Sequence, residues 1–315
     1  MPGKVSIIGA AGTLGSCAAY AVATQGLCDE LVLFDINENL LKCHVLDLET
    51  AVTSIRKVRV RAAESDKDLS GSHVVIIAAG APWRFIESRM ELLRDSLPII
   101  KEVAQKVKAY CPQAVVITAT NPVDPLNYGM VLLTGMDRKQ FIGYSFNDSF
   151  RFRMMAARRL KVDSTSVEGL TIGEHGSHQV MLFSTLRVNG NPVDLPEDEK
   201  QKIRDEVPKA LQAYESLGTG RTTGWTSAVG LSDIVSAVVN DSGRVLPASV
   251  TLNGEYGYSG LSASVPVKLE KDGVREIIVL QLPPEEEQSV RESLTYLKEV
   301  CQSVEDLLKP SKRLD

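Results

Sequence analysis

Val5-Ser6-Ile7-Ile8-Gly9-Ala10-Ala11-Gly12-Thr13-Leu14-Gly15 is the stretch on which the fold turns. Val5, Ile7 and Ile8 are β-branched and apolar, as a strand covered on both faces requires. Glycines then follow at intervals of three. One at the strand end permits a sharp turn, a second lets a ligand approach the backbone, and a third lets the following helix pack close to the strand. The N-terminus of that helix offers unpaired N–H groups and a partial positive charge, which suit a pyrophosphate. A tight βα turn without a ligand would show the same glycines, so the context decides. A second apolar strand, Leu31-Val32-Leu33-Phe34, ends in Asp35, about twenty residues past the last glycine, where a dinucleotide fold holds the adenosine ribose. A carboxylate there accepts from both ribose hydroxyls and repels a 2′-phosphate, which points to NAD over NADP. The alternative for Asp35 is a cap on the next helix, a role Asn37 could also fill.

From this start the first half alternates strands and helices. A helical stretch covers Glu38–Ser54, and strands are expected at Val58–Arg61, Val74–Ala79 and Val115–Thr118. Between the last two lies a loop, Ala81–Glu87, and a helix to Tyr110. Capping-box spacing of Ser88 and Glu91 starts that helix at Ser88, and Pro112 stops it. This order implies an α/β fold with a right-handed, doubly wound parallel sheet, whose ligands sit beyond the C-terminal strand ends. Gly9, Asp35, Gly80 and Asn121 all fall at such ends and should line one crevice.

After about Tyr144 the pattern becomes α+β, with antiparallel strands expected at Val167–Ile172, Val180–Val188, Pro192–Leu195, Ser249–Leu252, Ala263–Leu269 and Glu276–Gln281. Helices are expected over Asn147–Leu160, Glu197–Leu217, Ala228–Val239 and Pro284–Leu308, the last one amphipathic. The expected division is a dinucleotide-binding domain over 1–144 and a catalytic domain over 145–315, with the site between them.

Composition narrows the class. A length of 315 residues with 43% hydrophobic and 24% charged residues is that of a globular protein. The net charge of −5 argues against a nucleic-acid partner. No apolar run approaches the roughly 20 residues of a membrane span. The first strand begins almost at once, so no signal or transit segment is expected. Five scattered cysteines without a CxxC pair read as free thiols in a reducing cytoplasm.

Two clusters in the second half carry chemistry. In Asn147-Asp148-Ser149-Phe150-Arg151, Asp148 and Arg151 share a helix face. In Gly173-Glu174-His175-Gly176-Ser177, small residues flank His175 and leave its imidazole accessible. A histidine beside a carboxylate is an acid–base pair, in which the acid fixes the tautomer and steadies the imidazolium.

The chain resembles the lactate/malate dehydrogenase family nearly end to end. The resemblance rests on GAAGTLG at Gly9–Gly15, Asp35, Ala79-Gly80-Ala81-Pro82, Thr120-Asn121-Pro122-Val123-Asp124, Asp148-x-x-Arg151, Gly173-Glu174-His175-Gly176, Leu246-Pro247-Ala248-Ser249 and Gly254-Glu255-Tyr256-Gly257, all in order. It implies that His175 takes the proton of a 2-hydroxyl as hydride leaves C2 for the nicotinamide, and that Asp148 orients His175. It implies that Arg151 clamps the substrate carboxylate bidentately, and that Arg89 polarises the C2 oxygen as a loop closes. Asn121 is implied near the substrate and the nicotinamide ribose, and Thr223 on the pocket wall. NAD would lie on Gly9, Ala11, Gly12, Thr13, Leu14, Gly15, Asp35, Ala79, Gly80 and Asn121. A homodimer or homotetramer is implied as well.

The chain departs from the family in the loop that reads the substrate side chain. Malate enzymes resemble Pro-Arg-Lys-Pro-Gly-Met-Thr-Arg there, and lactate enzymes carry Gln for the first Arg. Here the loop is Pro82-Trp83-Arg84-Phe85-Ile86-Glu87-Ser88-Arg89, of equal length. Trp83 stands at the discriminating position and cannot pair with a second carboxylate. That loss should disfavour a dicarboxylic acid by ~2–4 kcal/mol, or roughly 30- to 1000-fold. A one-residue twist would instead turn Arg84 inward and restore recognition of an anionic side chain, as in malate or a sulfonated analogue. Trp83 could also be only a latch on the second domain.

Other classes fit less well. A short-chain dehydrogenase needs a Tyr with Lys four residues on, and none of the eight tyrosines has it. A metal enzyme built on His175 and His178 has poor ligand spacing, so no metal is expected. A non-catalytic NAD-binding regulatory protein would have lost one of His175, Asp148, Arg89 or Arg151, and all four are present.

Overall fold

The computed structural model describes residues 3–81 and 89–309. The glycine-turn stretch forms β1 (Lys4–Ile8) and leads through the turn into α1 (Thr13–Gln25). β2 (Glu30–Phe34), α2 (Glu38–Thr53), β3 (Arg59–Ala62) and β4 (Ser72–Ile77) follow. Then come α3, Arg89–Tyr110 within the described residues, β5 (Val115–Thr118), α4 (Val123–Thr134) and β6 (Phe141–Gly143). The side chains of Val74, Val75, Ile76 and Ile77 are all fully buried. Such a run cannot alternate in and out, because helices cover both faces of a parallel sheet.

The spatial order of the parallel strands is β3-β2-β1-β4-β5-β6. The chain winds outward from β1 in both directions, and the strand order reverses between β1 and β4. That reversal opens a crevice beyond their C-terminal ends.

The second half comprises α5 (Asn147–Leu160), β7 (Val167–Gly173), β8 (Gln179–Val188), β9 (Asn191–Pro192), α6 (Glu197–Ser216) and α7 (Gly224–Val239). It ends with β10 (Val245–Asn253), β11 (Ser259–Glu270), β12 (Gly273–Ile277) and α8 (Pro284–Leu308). β10 pairs antiparallel with β6, so the sheet continues from one half into the other. The main core is shared as well, from Val5 and Ile76 to Leu297 and Val304. A smaller core, around Phe152, Phe183, Leu186 and Ile203, lies under α5, α6 and β8.

Two elements were absent from the sequence expectation, α4 and β6. α4 is buried nearly all round and carries Pro125, Asn127 and Gly129, so it shows no polar face. β6 is three residues long. Strand β12 begins three residues before the expected Glu276 and ends at Ile277, and β9 is confined to Asn191–Pro192. The start expected for α3 at Ser88 lies outside the described residues. Among the described residues no helix is long and apolar enough to cross a membrane.

Candidate active site

The glycine turn fits a pyrophosphate by what it leaves out. Gly9 has φ +87°, and a Cβ on it would stand 2.5 Å from Ala79 N, so β1 and β4 converge too closely for any side chain. A Cβ on Gly15 would run into Gly9 O and lie 2.8 Å from Ala10 Cα. Gly12 differs: a Cβ there would meet only Gly9 O, at 3.5 Å. The protein leaves that space open. α1 begins at this point with no side-chain cap and no acidic residue in its first turn. Bare N–H groups at a helix N-terminus, beside a clear space, form a cradle for phosphate oxygens. Backbone from Gly9 to Gly15, including Ala11, Thr13 and Leu14, lines it.

Asp35 stands at the end of β2. Its Oδ2 accepts from Ala11 N–H at 2.9 Å and its Oδ1 from Asn37 N–H at 2.9 Å. Asn37, not Asp35, caps α2, accepting from Leu40 N–H. Asp35 therefore ties the glycine turn to the end of β2, at the rim of the cradle. Past β4, Thr120 donates to Ala79 O at 2.6 Å, and its methyl group lies over Gly80, where a Cβ would be 2.5 Å away. Asn121, exposed, follows at the end of β5.

Asp148 sits in the first turn of α5, with its side chain 6% exposed. Its Oδ2 is 2.6 Å from His175 Nδ1, and its Oδ1 accepts from Arg151 Nη1 at 3.0 Å. An ionised carboxylate only accepts, so in the neutral ring the imidazole proton is on Nδ1 and the lone pair on Nε2. His175 sits in the turn after β7. Gly173 enters that turn with φ +88° and is packed against Ser293 of α8, whose hydroxyl accepts from Glu174 N–H at 2.9 Å. Glu174 Oε2 in turn accepts from His178 N–H at 2.7 Å and lies 2.9 Å from His178 Nδ1. The two histidines thus face different carboxylates, an arrangement that does not converge on one metal ion.

Two residues near the site were given no role from sequence. Asp124, in the first turn of α4, accepts from His175 N–H at 2.7 Å. Burial pushes its carboxyl up to about 6, against the opposing pull of the Ser249 hydroxyl and of His175. The signal for it was a lone acid inside the apolar run Pro122–Leu126. Asn147, also buried, donates to Ser227 Oγ at 2.8 Å and to Thr223 Oγ1 at 3.4 Å, and accepts from the Tyr144 hydroxyl at 2.7 Å. It joins the start of α5 to Thr223, the residue before α7. Trp83 and Arg84 lie outside the described residues, as does the side chain of Arg89, whose backbone begins α3.

The arrangement offers a nucleotide cradle at one end and, at the other, an oriented imidazole beside a guanidinium. Comparison with known proteins gives the same two parts. Residues 3–143 match the model of the lactate/malate dehydrogenase NAD binding domain, and residues 147–308 that of the lactate/malate dehydrogenase alpha/beta C-terminal domain. A malate dehydrogenase of Natronomonas pharaonis is 37% identical, over 87% of this chain and 90% of its own length. An L-lactate dehydrogenase of Synechococcus sp. is 33% identical, over 96% of this chain and 99% of its own. The solved lactate dehydrogenase of Cryptosporidium parvum, complexed with lactic acid and nicotinamide adenine dinucleotide, superposes with a TM-score of 0.91. It is 29% identical, over 98% of this chain and 99% of its own.

Proposed function

Since this chain belongs to the lactate/malate dehydrogenase family, we propose that His175 is the acid–base of its reaction. The protein is an NAD-dependent oxidoreductase of 2-hydroxy and 2-oxo acids. When bound, NAD supplies the carbon that accepts or donates the hydride at C2. In oxidation His175 Nε2 takes the hydroxyl proton, and in reduction it returns that proton to the C2 oxygen. Nδ1–H stays on Asp148, which holds the tautomer and offsets the imidazolium charge. The 2.6 Å contact between Asp148 and His175, with Arg151 on the same carboxylate, carries this reading.

Arg151 binds the substrate carboxylate. One Nη is engaged by Asp148, and the remaining donors of the planar fork suffice for a bidentate pair. Arg89 polarises the C2 oxygen, Asn121 contacts substrate and nicotinamide ribose, and Thr223, oriented through Asn147, walls the pocket. Gly9, Ala11, Gly12, Thr13, Leu14, Gly15, Asp35, Ala79 and Gly80 bind NAD, with Asp35 on the adenosine ribose. The domains divide at residues 144 and 145. His175→Asn should reduce turnover by at least about 10³-fold with NADH affinity unchanged. Unchanged turnover would overturn the assignment.

For the substrate side chain, Trp83 at the discriminating position favours an uncharged 2-oxo acid. A second reading, with Arg84 inward and a dicarboxylic substrate, is favoured by the malate dehydrogenase at 37% identity. Comparing kcat/KM for oxaloacetate, pyruvate, 2-oxoisocaproate, phenylpyruvate and sulfopyruvate, on wild type and Arg84→Gln, separates the two. A preference for the anionic acids that Arg84→Gln abolishes assigns Arg84. A preference for uncharged acids that survives it assigns Trp83. The protein works in the cytoplasm as a homodimer or homotetramer. Tyr20 of α1 and Trp225 and Val229 of the adjoining α7 are exposed large apolar residues, which supports this reading.

A further inference from the structure

His175 is held by two carboxylates, not one. Asp148 meets its ring at Nδ1, and Asp124 meets its main chain at N–H. Asp124 comes from α4, in the first half of the chain, and is 2% exposed. Met90, Leu93, Leu297 and Val300 wall the space beside it. A backbone N–H needs only an acceptor, and an asparagine oxygen would serve without burying an ion. An ion in such a place is unfavourable unless its charge is used.

The ionisable groups that face this centre from the packed elements are few among the described residues. They are Asp148 and Arg151 of α5, Glu174 and His178 of the turn after β7, and Tyr296 and Cys301 of α8. α3 presents apolar Met90 and Leu93, and β10 presents Ser249. Arg151 is engaged with Asp148, and Glu174 with His178. Among the described residues, the positive charge that forms when His175 is protonated belongs to the residue whose N–H Asp124 already holds.

We propose that Asp124 is a positioning residue for His175. Its anionic carboxylate fixes the turn that aims the imidazole and sustains the imidazolium that gives up the proton during reduction of the 2-oxo acid. This rests on His175 being the acid–base. Burial works against that charge and pushes the carboxyl up to about 6, so the carboxylate is the main form only above that pH.

Asp124→Asn keeps an acceptor of the same shape and removes the charge. The test is reduction of pyruvate or oxaloacetate, whichever the wild-type protein turns over faster, followed across pH with NADH binding and thermal unfolding measured alongside. The expected result is a fall in kcat at pH 7.5 of about tenfold, with the alkaline limb of the pH profile moved down by about one unit. NADH affinity should stay within about twofold, and Tm at pH 7.5 should hold or rise. Asp124→Ala, which also removes the acceptor, should lower kcat further and lower Tm. Wild-type kcat and an unshifted limb in Asp124→Asn would overturn the proposal, leaving Asp124 a plain acceptor. So would a parallel loss of kcat, NADH affinity and Tm in that variant. Failure of the acid–base reading would show separately, as turnover retained in His175→Asn.

Discussion

The turn after β1 and the turn after β7 begin alike and work oppositely. Each opens on a glycine in the left-handed region, Gly9 at φ +87° and Gly173 at φ +88°. After Gly9 the chain presents backbone alone: small residues, an uncapped helix start and a clear space at Gly12. After Gly173 it presents side chains, and the backbone that carries them is tied to different parts of the molecule. Glu174 is bound through Ser293 of α8, His175 through Asp124 of α4 and Asp148 of α5. The first turn offers backbone geometry, and that geometry requires glycine at Gly9 and Gly15, where a Cβ has no room. In the proposed mechanism the second works through charges, which α4 and α5 bring to a turn that α8 anchors by a hydroxyl.

The sharpest way to break that contrast is Asp148→Asn. If the second turn works through charge and tautomer, an amide that leaves the fold intact should still lower kcat by about 10²–10⁴-fold. Circular dichroism and NADH affinity should not change. Wild-type kcat would mean that His175 needs no orienting acid.

Gly15→Ala probes the first turn as a packing device. The added methyl meets backbone of Gly9 and Ala10, which cannot swing aside as a side chain could. A loss of about 3 kcal/mol in urea unfolding is expected. A loss near zero would show that α1 can slide away from β1.

The second turn should also leave a mark on stability. Burial lifts Asp124 from its ordinary value of 3.8 to about 6, so the folded state holds this proton more tightly than the unfolded state. Stability from this group is then greatest below pH 3.8 and falls as pH rises through about 6, by on the order of 2–3 kcal/mol, after which the loss is constant. Asp124→Asn cannot ionise. Its unfolding free energy relative to wild type should therefore be more favourable at pH 7.5 than at pH 4.5, by that amount. A difference independent of pH would place the Asp124 titration elsewhere.

The same contrast explains what could be read from the chain. The first turn lies within eleven residues, and its glycine spacing, flanking strand and Asp35 sit on one continuous pattern. Asp148 and Arg151 are three apart on one helix and were legible for the same reason. That Asp148 serves His175 came from the family resemblance, since 27 residues separate them. Asp124 stands within Thr120–Asp124, where the sequence alone assigns it no role. It bonds a main-chain N–H 51 residues away, which leaves no mark on side-chain spacing. It also lies in α4, a helix buried nearly all round, where amphipathic periodicity fails. Local backbone geometry is written in the order of residues, and convergence of distant helices is not.

Gly12→Ala is the gentlest change and the cleanest test of the first turn. At Gly15 an added methyl meets protein, and at Gly12 it meets space, with Gly9 O at an ordinary 3.5 Å. The backbone there does not need the left-handed region, so alanine is tolerated by the free protein. Tm should therefore change little. If the space belongs to a pyrophosphate, the methyl stands where its oxygens approach the N–H groups of α1. NADH affinity should fall about tenfold, or about 1.4 kcal/mol, by titration calorimetry. The two glycines then separate the two demands on the turn: stability is lost at Gly15, and affinity at Gly12. If Gly12→Ala loses stability and keeps its affinity for NADH, the space at Gly12 is part of the packing, and the phosphates lie elsewhere along the crevice.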